Sequence, residues 1–120
     1  VLPLQKPLAV CLFLALLVLA TYGFLKDVSG IPSGWMPNDK VMHVLVFFAL
    51  TLSFKQAFAR PFLHAFSLLA FYGALIEVAQ ATFTSRMGDP LDWFADVAGI
   101  LLAAALVRYL PAHWFVRAAT

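Results

Sequence analysis

Four apolar runs, each at least 18 residues long, take up most of this 120-residue chain. They are Leu8 to Leu25, Lys40 to Ala57, Pro61 to about Thr84 and Leu91 to about Tyr109. An α-helix needs roughly 20 mostly apolar residues to cross the hydrocarbon layer of a bilayer. Composition agrees: 63% of residues are hydrophobic and 12% charged, where a soluble domain carries about a quarter charged. The predicted fold is therefore all-α, a single domain over residues 1–120 forming a polytopic bundle of four transmembrane helices. Little chain lies outside the runs, so no soluble catalytic domain fits. Any chemistry has to be built from helices and short loops.

Charge sets the orientation. Lys6, Lys55, Arg60, Arg108 and Arg117 fall on one side with no acid among them. Lys26, Lys40 and Arg86 fall on the other with all six acids. Short loops rich in Lys and Arg stay in the cytoplasm, so both termini are predicted inside and the acids outward. Trp35 and Trp93 would mark the outer interface, Tyr109 and Trp114 the inner one. The first run is long for a secretory signal and has no small-x-small cleavage site, so a retained helix is expected. Cys11 lies mid-run, has no intrachain partner and is expected to pack. The bilayer is the expected surroundings, and no nucleic-acid partner is expected. The tail from Pro111 suits a short interfacial segment.

Up-and-down threading brings the start of run two, the end of run three and the start of run four to one membrane surface. Every acid sits there, and charges near hydrocarbon cost roughly 2.5–3.5 kcal/mol each at a helix centre. Gathering them in so apolar a chain reads as a site. Asp39, Lys40 and His43 crowd the first turns of run two at helical spacing. Ala70, Gly73, Glu77, Gln80 and Thr84 recur at steps of three and four, a seam of small and polar residues in a bulky run. Asp92, Asp96, Gly99 and Ala103 repeat that pattern in run four. Small residues let membrane helices approach closely, so Gly73 and Gly99 are expected to floor the site. In particular, Gly99 is expected to pack run four against run three.

Several of these residues also suit structural roles. Asp89 before Pro90 fits an N-cap with proline at the first helical position. Asp92 then stands at N3, near the positive end of the helix dipole, with capping and functional readings evenly matched. Asn38 or Asp39 fits a cap on run two. Asp96, a full turn deeper, is beyond any capping argument. Glu77 fits either a site or an ion pair with Lys40 or Arg86. His43 beside Asp39 and Lys40 reads as functional, whereas His64 and His113 read as interfacial. Arg86 fits an anion clamp or a structural partner.

Asp39-Lys40-x-x-His43, then Glu77-x-x-Gln80, then Arg86 followed by Asp92, Asp96 and Gly99 resemble the VanZ-like membrane proteins. Their pattern runs D-K-x-x-H, E-x-x-Q, then R with D-x-x-x-N-x-x-G. The resemblance covers Asp39 to about Ala105, with the family's usual Asn replaced by Asp96. It implies a bacterial cytoplasmic-membrane protein with a site facing the periplasm or exterior, and a link to glycopeptide-type antibiotic resistance. It further implies action on lipid head groups or lipid-linked envelope precursors, as a head-group phosphotransferase or phosphodiesterase.

The residues allow that chemistry. His43 would serve as general base or nucleophile, oriented by Asp39. Lys40 and Arg86 would stabilise negative charge developing on a phosphate. Glu77, Asp92 and Asp96 would orient an attacking hydroxyl, or with His43 hold a divalent cation. Asp39 and Gln80 complete the substrate-binding set. The alternatives are a non-catalytic protein that binds or shields such lipids, and a small cation-coupled transporter.

Overall fold

The computed structural model describes residues 6–26, 39–84 and 89–114, without the side chains of Asp39 and Trp114. Four helices follow one another: α1 (Lys6–Leu25), α2 (Asp39–Ala57), α3 (Phe62–Phe83) and α4 (Pro90–Val107). Each is long and apolar enough to cross a membrane. A short 3-10 turn, Ala112–Trp114, follows α4.

Prolines set the boundaries and account for the differences from the sequence reading. Pro7 stands in the first turn of α1, where a missing N–H costs nothing. Helix α1 therefore begins at Lys6, ahead of the apolar run itself. Pro61 is extended (φ −58°, ψ 154°) and precedes α3 rather than opening it. Pro90 occupies N1 of α4, so that helix starts one residue earlier than the apolar pattern suggests. It ends at Val107 instead of Tyr109. Leu110 precedes Pro111, which disfavours helical geometry at the residue before it, so the chain leaves the helix there.

The helices thread up and down. His43 at the start of α2 meets Glu77 near the end of α3 and Asp96 near the start of α4. Gln80 at the end of α3 reaches Phe24 at the end of α1. A buried spine of Phe13, Phe24, Phe47, Leu50, Phe54, Leu69, Ile76 and Ile100 fills the centre. Outward faces carry large apolar residues, among them Val18, Leu45, Phe71, Val78 and Leu102. This inversion of the soluble pattern suits contact with lipid tails rather than water.

The tightest seam corrects one expectation. Gly99 packs against α2, not α3: a Cβ there would run into the Val44 backbone carbonyl and lie 3.1 Å from the Phe48 nitrogen. The α2–α4 interface is the most extensive in the bundle, and close backbone approach at Gly99 is what permits it. Gly73 does face α4, but through the site itself, since a Cβ there would fall 2.6 Å from Asp96 Oδ2.

Candidate functional site

Helix α4 begins with a complete cap. Asp89 (φ −132°, ψ 117°) accepts from the Leu91 N–H at 2.9 Å, satisfying one of the orphan donors of the first turn. Its other oxygen meets Lys40 Nζ at 3.0 Å, and its own N–H donates to Glu77 Oε2 at 3.0 Å. One residue thus joins α2, α3 and α4 at this pole. The Leu91 N–H and the Lys40 ammonium hold the Asp89 carboxyl below its ordinary range.

The polar groups are layered by depth. Lys40 and Asp89 form the rim, with side chains 48% and 39% exposed. Lys40 Nζ also reaches inward to Asp92 Oδ1 at 3.3 Å. Glu77 and Asp92 come next, 11% and 3% exposed. His43 and Asp96 are the fully buried floor.

On that floor His43 Nδ1 lies 2.5 Å from Asp96 Oδ1. With Asp96 ionised, its carboxylate only accepts, which puts the proton on Nδ1. The Nε2 lone pair then points to Glu77 Oε1 and Asp92 Oδ2, each at 3.7 Å. Both distances exceed direct hydrogen-bond reach. The imidazole plane is fixed by Phe24, stacked at 4.4 Å and 25°, and by Phe47, parallel at 6.5 Å. His43, Glu77 and Asp96 also offer three ligand atoms within 4.8 Å of one another, a set able to hold a metal ion.

The residues singled out in the sequence fare differently. His43, Glu77, Asp92, Asp96 and Lys40 converge. Asp96 orients His43; the Asp39 side chain, expected in that role, and all of Arg86 lie outside the described residues. Glu77 accepts the Asp89 N–H at 3.0 Å, and Lys40 is engaged by Asp89 and Asp92; the pairing expected with Arg86 lies outside the described residues. Gln80 is buried beside the cluster, but its Nε2 donates to the Phe24 carbonyl at 2.8 Å. That bond holds the end of α1, and with it the ring stacked on His43. His64, in the first turn of α3, and His113, in the 3-10 turn after α4, are both exposed.

Phe24, Phe47, Thr21 and Tyr72 were not singled out in the sequence, and Trp93 only as an interface marker. Phe24 and Phe47 clamp the imidazole. Thr21 Oγ1 meets Tyr72 Oη at 2.6 Å, tying α1 to α3. Trp93 Nε1 donates to the Ala70 carbonyl at 2.9 Å, tying α4 to α3. Phe24 had a signal, since it closes run one at the surface where the acids gather. No family model, curated protein or solved structure matches the chain.

Proposed function

We propose that this is a VanZ-like multi-pass protein of a bacterial cytoplasmic membrane that acts on phosphodiester head groups of lipids or lipid-linked envelope precursors. The observation that supports this most is the buried Asp96–His43 pair with its Nε2 lone pair aimed between Glu77 and Asp92. That is the arrangement of a general base with a fixed tautomer. His43 takes the proton of an attacking hydroxyl, from water or from an incoming head-group alcohol; when the nucleophile is water, Glu77 or Asp92 accepts its second proton and aligns it. The hydroxyl oxygen bonds to phosphorus, the P–O bond to the departing head group breaks, and the departing alkoxide takes the proton back from His43. Lys40 at the rim offsets negative charge building on the phosphate. Exchanging exposed head groups would alter what a glycopeptide-type antibiotic meets at the outer surface.

A second reading, cation binding without turnover, is favoured by charge. Glu77, Asp89, Asp92 and Asp96 outnumber Lys40 and His43. A phosphate entering such a cluster needs added positive charge, which Arg86 or a divalent cation held by His43, Glu77 and Asp96 would supply. The deciding experiment incubates purified protein with head-group-labelled phospholipid, with and without a chelator. Labelled head group should be released or exchanged. Divalent-cation stabilisation of the fold with no release under any condition would favour the binding reading instead.

The site faces outward in this proposal, with both termini cytoplasmic, on the five-to-three division of Lys and Arg. In a Cys11→Ala background, Lys26→Cys should react with an impermeant thiol reagent on intact cells. Arg60→Cys should react only after permeabilisation. The opposite pattern would invert the topology and remove the outward-facing site.

A further inference from the structure

At the end of the bundle away from the carboxylates, the ends of α2 and α4 and the first turn of α3 enclose a crevice of about 450 Å³. Phe62, Leu101 and Ala105 give it apolar walls, and the buried Thr51 lines it together with Lys55 and Arg108. All acids among the described residues belong to the other pole, and neither cation forms an ion pair with any of them. Lys55 Nζ donates to the Arg60 carbonyl at 2.9 Å. This anchors the amine at the rim and engages one of its three protons. Arg108 caps α4 and is exposed. Along α4 the wall from Leu101 to Arg108 runs for about 10 Å.

An apolar slot with two cations at one end and, among the described residues, no acid to neutralise them fits an anionic amphiphile. We propose that it binds one acidic phospholipid from the surrounding leaflet. The phosphate lies between the Lys55 ammonium and the Arg108 guanidinium, and the first acyl methylenes lie along Leu101 and Ala105. Guanidinium meets phosphate through two parallel N–H donors, and basic pockets between membrane helices recognise acidic head groups by this chemistry. The apolar wall separates a lipid from a free phosphate, which would gain nothing from it. This site is independent of the carboxylate cluster and stands whether or not that cluster turns over substrate.

The test equilibrates the full chain in detergent with equal amounts of phosphatidylglycerol and phosphatidylcholine and counts retained lipids by native mass spectrometry. One phosphatidylglycerol per chain should be kept in preference. Each cation near an acidic lipid contributes about fivefold, so Lys55→Gln with Arg108→Gln should lower that preference roughly 25-fold. Because Lys55→Gln also removes the bond to Arg60, Ala105→Phe is the second variant: it keeps both cations, fills the slot and should likewise lose the lipid. Equal retention of the two lipids by the wild type overturns the proposal, as does a preference that survives in both variants. Loss of the preference in His43→Gln instead would place the lipid at the other pole and overturn it too. Glycerol 3-phosphate, which lacks the chains, should not displace the lipid. Displacement at equimolar concentration would show that phosphate alone is recognised and would defeat the lipid assignment.

Discussion

Gly99→Leu is expected to abolish assembly of the bundle. The Val44 carbonyl and the Phe48 nitrogen already occupy the space where even a methyl group would go. Overpacking a filled interior costs about 1–3 kcal/mol where side chains can turn aside. Here the obstacle is the backbone of α2, which cannot rotate away, so α2 and α4 must separate. Separation would pull His43 off Asp96, because those residues face each other across the same interface. Detergent-extracted Gly99→Leu should run as aggregate in size-exclusion chromatography, and Gly99→Ala should survive with a lowered melting temperature. Gly23→Leu is the control: a Cβ at Gly23 meets nothing within 4 Å, so that variant should purify normally. A well-behaved, stable Gly99→Leu protein would show that the α2–α4 seam is packed differently.

Removing the imidazole should have the largest effect on activity. With no general base on the floor, His43→Gln should lose head-group turnover by about 10²–10⁴-fold. Glutamine keeps much of the volume between Phe24 and Asp96, so insertion and purification should be preserved. Asp96 separates the structural part of the pair from the chemical part. Asp96→Ala leaves His43 buried without its acceptor, and breaking a buried pair of this kind costs about 3–5 kcal/mol. Asp96→Asn retains an oxygen to accept from Nδ1–H and should restore most of that stability, measured by thermal unfolding in detergent. If Asp96→Ala melts with the wild type, the buried pair does not hold the site together. If His43→Gln turns over lipid at the wild-type rate, His43 is not the base.

Apolar run length carried the four helices, because each run matches the length a helix needs to cross a bilayer. The helix ends needed proline chemistry as well, which is why α3 and α4 differ from the apolar pattern by a residue or two. The cluster was legible for a related reason: acids confined to helix ends, combined with alternating direction, leave only one place for them to meet. What local spacing could not show was which carboxylate reaches which atom. Asp39 is four residues from His43 in sequence, whereas Asp96 approaches it across the α2–α4 seam, and that approach depends on two backbones meeting at Gly99. Gln80 illustrates the same limit. Its place on the polar seam of α3 was readable, but its bond to Phe24 depends on where α1 docks. Helix α1 has no charged residue beyond Lys6, so its periodicity gave no face to align, and its two contributions to the site, the Phe24 ring stacked on His43 and the Phe24 carbonyl that accepts from Gln80, depend on how α1 docks.

The central claim is that His43 meets the phosphorus of a membrane lipid head group. Solid-state NMR can test this on histidine-labelled protein reconstituted in phospholipid bilayers, with His64→Gln and His113→Gln leaving His43 as the one ¹⁵N-labelled imidazole. The account predicts ³¹P–¹⁵N dipolar coupling between a lipid phosphate and the His43 ring, lost in an added His43→Gln substitution. An imidazole signal with no coupling to phosphorus, in bilayers that supply the head group in excess, would contradict it.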